Sequence, residues 1–284
     1  MPILALQAYY FIIVSHTSQL LAQIDAYSET DKGIPEIKKL IADGLNATLQ
    51  EGEAKNYEPF HTGTTALMIA SNFGYLDLVS LLIASGADVD LSNIQGFTAI
   101  KGALRGGYID VVNSLLKANA KTDIQDIYGK AALHYACAQP NVAILKMVID
   151  AGADLKVQDK DKQTALFLPA YNGRVDLINA LLEAGVDPNI KDKGGFTALT
   201  WAAQNGKAES IRALIKGKAD VNVKSKKGIT PLMSATIKGD IESVKLLISA
   251  GADVRAEEKG GYKALTFATK NKQEEIADLL EQYS

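Results

Sequence analysis

Five aspartates at related positions are the residues of this sequence that most resemble a set of metal ligands. They are Asp88, Asp154, Asp187, Asp220 and Asp253. Carboxylate oxygens suit calcium and magnesium, but a site needs several of them around one ion. The repeat described below would place successive copies about 10 Å apart, the spacing of packed helices. We therefore predict that these aspartates stabilise turns and that they form no metal site.

Nucleophilic and histidine chemistry has few candidates. Cys137 is the single cysteine, which excludes an intramolecular disulfide and a zinc site built on cysteines. It lies at the position that Ala203 occupies 66 residues later, so we interpret it as a core residue. The histidines are far apart in the sequence, at His16, His61 and His134. No nucleophile elbow, phosphate-binding glycine loop or zinc motif occurs, and we predict no catalytic residue and no cofactor.

The composition is that of a folded chain with a large apolar core. Of the 284 residues, 47% are apolar and 22% are charged, and glycine and proline together number 30. These proportions exclude a disordered or collagen-like chain. The net charge of −3 excludes a globally basic nucleic-acid binder, although a local basic patch remains compatible with it. The length fits two globular domains or one array of repeats.

A spacing of 33 residues runs through most of the chain. Landmark glycines mark it, and Lys162 takes the place of one of them: Gly63, Gly96, Gly129, Lys162, Gly195, Gly228 and Gly261. A second series lies eleven residues further on, with two replacements: Gly74, Gly107, Pro140, Gly173, Gly206, Gly239 and Lys272. Because the register holds without insertion over about 220 residues, we predict seven repeated units.

Each unit has the pattern of two helices followed by an extended finger. In one of them, Thr197 is a predicted N-cap, and the small residues of 198–205 form a first helix that ends at Gly206. A second helix over 208–216 carries apolar residues at helical spacing. Because small residues on the first helix let the next unit approach closely, we predict an all-α stack of helix-turn-helix units.

This pattern resembles the ankyrin repeat, whose signature combines G-x-T-P-L-H-x-A-A-x-x-G, V-x-x-L-L and G-A-D-V-N. The best matches are Gly228-Ile229-Thr230-Pro231-Leu232, Leu133-His134-Tyr135-Ala136, Val79-Ser80-Leu81-Leu82 and Ala219-Asp220-Val221-Asn222. The resemblance covers residues 60–284 as seven repeats, the last of them a capping repeat. It implies an ankyrin-repeat solenoid with short β-hairpin-like fingers, in which His134 hydrogen-bonds backbone between neighbouring fingers.

The N-terminal part departs from this register. Residues 18–59 have the pattern of an irregular repeat with a long first finger, and residues 1–17 form an apolar segment. The apolar run 3–14 is too short to span a bilayer. It is an extra helix that covers the open end of the stack, a signal-peptide core or its remnant without the usual positive charges, or a segment that contacts a removed segment or a partner.

The resemblance also implies a binding surface, because partners of ankyrin repeats usually contact the fingertips and the first helices. By register, that surface contains Phe97, Arg105, Tyr128, Tyr171, Asn172, Phe196, Gln204 and Asn205. Aromatic side chains flanked by amides and arginine are typical of interaction hot spots. Trp201 and Tyr135 occupy a first-helix position that usually packs, whereas Phe97 and Phe196 fit packing and partner binding equally well.

Charge is distributed unevenly along the chain. Residues 1–90 carry four basic and eleven acidic side chains, whereas residues 191–227 carry nine basic and three acidic ones. We predict a basic ridge on adjacent fingers that contains Lys191, Lys193, Lys224, Lys226 and Lys227. This ridge is a solvated surface, a site for an acidic protein partner, or a contact with nucleic acid or anionic lipid. The lack of arginine on these fingers argues against nucleic acid.

Together these features imply a non-enzymatic scaffold for protein–protein interaction that binds its partner on the concave face of fingers and first helices. The alternative is a docking or inhibitory subunit of an enzyme or toxin system. We expect a monomer without a membrane span, located in the cytoplasm, or exported if residues 3–14 form a signal-peptide core.

Overall fold

The computed structural model describes residues 62–283. The predicted apolar segment 1–17 and the irregular repeat 18–59 lie outside the described residues and stay predictions. The described chain divides into two compact units, with the boundary between Ala153 and Asp154. Within 62–283 the secondary structure is helical and contains no strand, which confirms the predicted all-α class.

The first unit contains three helix pairs. They are α1 (Ala66–Phe73) with α2 (Leu76–Ala84), α3 (Ala99–Gly106) with α4 (Ile109–Lys117), and α5 (Ala132–Ala136) with α6 (Val142–Asp150). In each pair a short helix rich in small residues precedes a more apolar one. The first helices pack in order, α1 on α3 and α3 on α5, which produces the predicted stack.

The second unit contains four helix pairs built in the same way. They are α7 (Phe167–Asn172) with α8 (Val175–Glu183), α9 (Ala198–Gln204) with α10 (Ala208–Lys216), α11 (Pro231–Lys238) with α12 (Ile241–Ser249), and α13 (Ala264–Lys270) with α14 (Glu274–Glu281). Here too the first helices pack in order, from α7 through α9 and α11 to α13.

Threonine is the N-cap of four first helices, α1, α3, α9 and α11, and α1, α3, α7 and α11 end at a glycine with left-handed backbone. Thr65 and Thr230 each accept a hydrogen bond from the backbone N–H three residues later, at 3.2 Å. Pro231 follows as the first helical residue, where its missing N–H costs nothing. The sequence therefore specifies where these helices start through side chains that satisfy otherwise unpaired N–H groups.

Small residues make the close packing of successive first helices possible. Ala70, Ala103 and Ala170 have no exposed surface, and the same holds for Ala202 and Ala235. The second helices add leucine and valine, such as Val112 and Leu115, which are also fully buried. Each such leucine stabilises the fold by roughly 1.5–3 kcal/mol, and the helices that bury it belong to its own repeat and to the neighbouring repeats.

Four residues in the described chain have a positive φ although they are not glycine. They are Asn119, Lys162, Lys218 and Lys272, with φ between 56° and 66°. Each occupies a position at which other repeats carry glycine, for example Gly251 in register with Lys218. The fold therefore imposes the left-handed turn even where the sequence supplies a side chain that disfavours it.

Replacing Lys218 by glycine is expected to raise the free energy of unfolding by about 1 kcal/mol, because glycine adopts a positive φ without steric strain. Urea denaturation followed by circular dichroism measures the change. Lys216→Gly is the matched control: Lys216 is the last residue of α10, where glycine lowers stability by up to about 1 kcal/mol. A lower free energy of unfolding for Lys218→Gly would show that the positive φ of Lys218 causes no backbone strain.

Candidate functional site

In the six fingers that lie wholly within residues 62–283, a polar side chain three residues before the landmark position closes the finger from within. In the 192–196 finger, Asp192 Oδ1 accepts hydrogen bonds from the N–H groups of Gly194 and Phe196, at 2.8 and 2.9 Å. The same pair of bonds recurs at the side chains of Asn93, Asp126, Asp159, Asp192, Ser225 and Glu258. We call these residues the finger clamps.

The sequence analysis missed the finger clamps, although their signal was present. Every 33 residues a polar side chain recurs, but its identity varies between Asn, Asp, Ser and Glu, and this variation hides the pattern. All four types offer a side-chain oxygen that accepts backbone hydrogen bonds, which is the shared physical requirement.

Adjacent fingers are joined by backbone hydrogen bonds at their tips. In the first unit, Ile94 N–H donates to Thr62 and Ile127 N–H to Gln95. In the second unit the donors are Lys193, Lys226 and Lys259, and their acceptors are Asp161, Gly194 and Lys227, each at 2.9 Å. These bonds hold the tips in a fixed order within each unit.

Close approach at the tips explains one of the landmark glycines. Gly195 has a φ of +83°, and a Cβ atom placed on it would lie 2.8 Å from the backbone nitrogen of Lys226. No real Cβ atom tolerates such a contact with rigid backbone. Glycine at this position therefore serves both the turn and the packing of one finger on the next.

The five repeated aspartates stabilise turns, as predicted. Asp88, Asp154, Asp187, Asp220 and Asp253 each accept a bond from the N–H two residues later, at 2.8–2.9 Å. In the second unit, Asn189 and Asn222 extend this network: each accepts a bond from the aspartate N–H of the next repeat, at 2.7 Å. Within 62–283 no group of His, Cys, Asp and Glu side chains has the arrangement of a metal site.

The two reactive side chains singled out in the sequence have structural surroundings. Cys137 is buried, and burial raises the pKa of its thiol, which keeps it protonated and unreactive. His134 Nδ1 accepts a bond from Ala131 N–H at 3.3 Å, and this contact lies within one repeat. It caps the start of α5, where alanine replaces the threonine that caps α1 and α11.

In the first unit, Phe97 and Arg105 lie together on the finger and first helix. The Arg105 guanidinium is 5.0 Å from the centre of the Phe97 ring, and its Nη2 donates to Asn72 Oδ1 at 2.6 Å. Phe97 also makes an edge-to-face contact with Tyr135, with ring centres 6.1 Å apart. Phe97 is therefore half-buried and packs within its own unit, whereas Arg105 is exposed above it.

Asp126, which Tyr135 contacts, links two structural features. Its Oδ1 closes the finger, and its Oδ2 accepts a bond from the Tyr135 hydroxyl at 2.6 Å. Burial and this hydrogen bond raise the pKa of Tyr135. Tyr128, by contrast, stands on the tip and is exposed, so it is available to a partner.

A buried lysine that was not predicted from the sequence contacts the 93–97 finger. Lys101 on α3 is 1% exposed, and its Nζ donates to the carbonyl of Gly96 at 2.7 Å. Burial lowers the pKa of Lys101 to about 8, and the carboxylate of Asp126 opposes this shift. Lys101 lies in register with His134, and both side chains hydrogen-bond backbone at the start of a first helix.

The second unit brings another set of predicted residues together. Tyr171 and Trp201 pack with ring centres 5.8 Å apart, and Trp201 Nε1 donates to Asp192 Oδ2 at 3.0 Å. Asn205 Nδ2 donates to the Trp201 carbonyl at 2.8 Å. Trp201 and Asn205 thus have structural roles, as predicted for Trp201, while Tyr171 remains 44% exposed.

The remaining predicted residues of this unit differ in exposure. Phe196 and Gln204 are half-buried, and Asn172 is exposed at the end of α7. A Cβ on Gly194 would lie 2.9 Å from Cδ2 of Phe196, so this ring covers the backbone of its own finger. Phe196 therefore contributes to finger packing as well as to the surface.

The predicted basic ridge forms an open groove between fingers of the second unit. Its volume is about 330 Å³, and its lining includes Lys162, Lys191, Lys193, Lys224 and Lys226. Lys191 Nζ donates to the Lys224 carbonyl at 3.3 Å, and Lys193 pairs with Asp161 at 3.5 Å. Lys227 is exposed on the adjacent tip. The structure thus brings the lysines together, and Lys162 joins those predicted from the sequence.

Repeated helix pairs with clamped fingers define this molecule as a stacked helical-repeat protein. The family model described as "Ankyrin repeats (3 copies)" matches residues 32–126, 103–192, 133–225 and 199–283, in overlapping segments. The chain therefore belongs to the ankyrin repeat family, whose repeats generally mediate protein–protein interaction.

Similarity to a solved structure agrees with this assignment. The ankyrin repeat domain of Bcl-3, described as a unique member of the IkappaB protein family, superimposes with a TM-score of 0.67. The two sequences are 28% identical, and the match covers 75% of this chain and 98% of that one. No curated protein sequence gave a significant match. Within 62–283, no helix has the length and apolar character needed to cross a membrane.

The buried Lys101 is expected to make stability depend on pH. Its pKa is about 8 in the folded protein and 10.5 in the unfolded chain, so the unfolded state binds more protons between these values. The free energy of unfolding should rise from pH 8 to pH 10.5, by up to about 3 kcal/mol.

Lys101→Met removes this rise, and the test is the difference between wild type and variant in denaturant titrations at several pH values. Tyr135 contributes with the opposite sign above pH 10, but it is present in both proteins and cancels in the difference. A difference that stays constant across this range would show that the Lys101 pKa is not lowered.

Asp192→Ala is expected to lower the free energy of unfolding by roughly 2–3 kcal/mol, because it removes two finger bonds and leaves the Trp201 N–H without its acceptor. Asp161→Ala is the matched control. Asp161 is exposed on the neighbouring finger, and its loss should change stability by less than about 0.5 kcal/mol. Thermal or urea unfolding measures both variants. An equal loss of unfolding free energy in Asp192→Ala and Asp161→Ala would contradict the structural role of the Asp192 clamp.

Proposed function

We propose that this protein is a non-enzymatic scaffold that binds a protein partner across its fingertips and first helices. One observation carries the proposal. Within 62–283 the two most exposed large apolar side chains, Ile94 at 64% and Tyr128 at 63%, both stand on fingertips. Exposed apolar side chains on a defined surface are typical of protein interaction sites.

The rigidity of the fingers supports a binding role. Each tip is closed by a clamp side chain, and neighbouring tips within a unit are joined through backbone hydrogen bonds. Residues on such tips lose little conformational freedom when a partner binds, which leaves more of the contact energy for affinity. Tyr128 illustrates this, since its own backbone N–H is held by Asp126.

Side chains on the first helices extend the proposed surface inward from the tips. Arg105 is exposed above Phe97, and Tyr171 is exposed beside Trp201. In both places an exposed side chain rests on a half-buried aromatic ring that fixes its position. Such supported aromatic and arginine side chains have the composition of binding hot spots.

The similarity to the ankyrin repeat domain of Bcl-3 is consistent with this proposal, because ankyrin repeats generally mediate protein–protein interaction. In this view Phe97 and Phe196 act mainly as supports, and Arg105, Tyr128, Tyr171 and Asn172 make the contacts. Asn205 bonds to the Trp201 carbonyl near the end of α9, and the adjacent Gln204 is half-buried.

The double variant Arg105→Ala with Tyr128→Ala is expected to reduce the amount of partner recovered by affinity capture and quantitative mass spectrometry at least about tenfold. The midpoint of thermal unfolding should move by only a few degrees, because both side chains are exposed.

Tyr283→Ala serves as the control, since it removes an exposed aromatic ring that lies beyond the last helix and away from the fingers. Recovery of the same partners in equal amounts with the double variant and the control would reject the assigned surface. A large loss of thermal stability in the double variant would instead assign Arg105 and Tyr128 to the core.

A further inference from the structure

Four lysines occupy the same register position on the four fingers of the second unit. They are Lys160, Lys193, Lys226 and Lys259, separated by 33 residues each. All four are exposed, and we call them the lysine ladder. The corresponding residues in the first unit are Ile94 and Ile127, so the position is a tip position that tolerates different side chains.

The backbone hydrogen bonds fix the spacing of the ladder. Within one finger, Asp192 N–H donates to Phe196 across the hairpin, and between fingers Lys193 N–H donates to Asp161. Hydrogen-bonded extended segments lie about 4.8 Å apart. One repeat contains one such step within the finger and one between fingers, so successive ladder lysines are spaced by about 9.6 Å.

Additional lysines concentrate positive charge around the middle of the ladder. Lys191 and Lys224 line the groove beside Lys193 and Lys226, and Lys227 is exposed next to them. The Lys193 ammonium pairs with the exposed Asp161, an ion pair that solvent screens and a ligand can replace. Asp192 also lines the groove, but its carboxylate is engaged by the finger and by Trp201.

We propose that the lysine ladder binds an extended acidic segment of a protein that carries a carboxylate at every third residue. A polyproline II chain has three residues per turn and rises about 3.1 Å per residue, so its every third side chain points the same way at intervals of about 9.3 Å. This interval matches the ladder. The inference rests on the proposed function, since it assigns one class of protein segment to the fingers of the second unit.

The absence of arginine from the ladder argues against a nucleic-acid backbone as the ligand. Arginine binds phosphate through two parallel hydrogen bonds, and it occupies none of the four ladder positions. The lysine ammonium groups act as point charges at regular intervals. They therefore favour a ligand whose carboxylates are spaced by the same interval. An oligonucleotide is therefore a competitor in the test rather than the expected ligand.

The test uses the full chain and two labelled peptides of ten residues with identical composition. One carries glutamate at the first, fourth, seventh and tenth positions with proline and alanine between them, and the other carries four glutamates in alternate positions. Fluorescence anisotropy at low salt should show at least about tenfold tighter binding of the first peptide, with affinity falling as salt rises to about 0.15 M. Equal affinities would overturn the proposal.

The double variant Lys193→Gln with Lys226→Gln should weaken binding of the first peptide at least about tenfold. Lys216→Gln with Lys245→Gln removes the same charge from exposed positions on α10 and α12, and should leave its affinity nearly unchanged. Circular dichroism melting confirms that both variants fold. An equal loss of affinity for the first peptide in the two double variants would show that only the net charge of the protein matters, and it would overturn the proposal.

Two further results would also overturn it. One is displacement of the first peptide by an oligothymidylate of about ten nucleotides at a lower concentration than by unlabelled peptide. The other is concentration-dependent self-association that the Lys193 and Lys226 changes abolish, because a second copy would then be the occupant. Loss of partner capture in the Arg105 and Tyr128 variant tests the proposed function separately, so the two can fail independently.

Discussion

The close packing of small side chains between successive first helices is the constraint on which the rest of this structure depends. Fully buried alanines such as Ala202 and Ala235 let α9 and α11 approach closely, and the fingers that precede these helices must then follow the same spacing. That spacing allows the Lys226 N–H to reach the Gly194 carbonyl and leaves no room for a side chain at Gly195. The geometry of each fingertip is thus a consequence of burial in the helical layer, and not of the exposed tip residues themselves.

The clamps separate structure from recognition within each finger. An inward-facing oxygen, as in Asp126 or Asp192, satisfies the backbone of the tip, so closure of the finger does not depend on the side chains of outward residues such as Tyr128. This explains why the same register position holds Ile94 and Ile127 in one unit and Lys193 and Lys226 in the other. An apolar tip and a basic tip share one backbone, and each unit can present its own surface chemistry without a change in fold.

Periodicity was sufficient to predict the helices from the sequence, but not the contacts that depend on a particular neighbour. The bounds expected for α9 and α10 agree with the structure because threonine caps, glycines and helical apolar spacing are local signals. Trp201 could be assigned to packing by its register, yet its bond to Asp192 needs the finger and the helix to be placed together. Lys101 gave no local signal, because a lysine on an amphipathic helix is ordinarily exposed and only the finger above it makes it buried.

Lys101 shows how a polar group can be buried in this layer without disrupting it. Its pKa of about 8 leaves most of the side chain protonated at neutral pH, so an ammonium group lies under the finger with the Gly96 carbonyl as its acceptor and the Asp126 carboxylate nearby. Gly96 and Asp126 belong to successive fingers of the first unit, and the charge therefore favours the arrangement in which both are in place. Apolar contacts hold the helices together without strict direction, whereas this buried charge is sensitive to the position of both fingers. The cost of its desolvation is offset only when the two fingers are correctly aligned, which makes Lys101 a determinant of finger order in addition to the alanine layer.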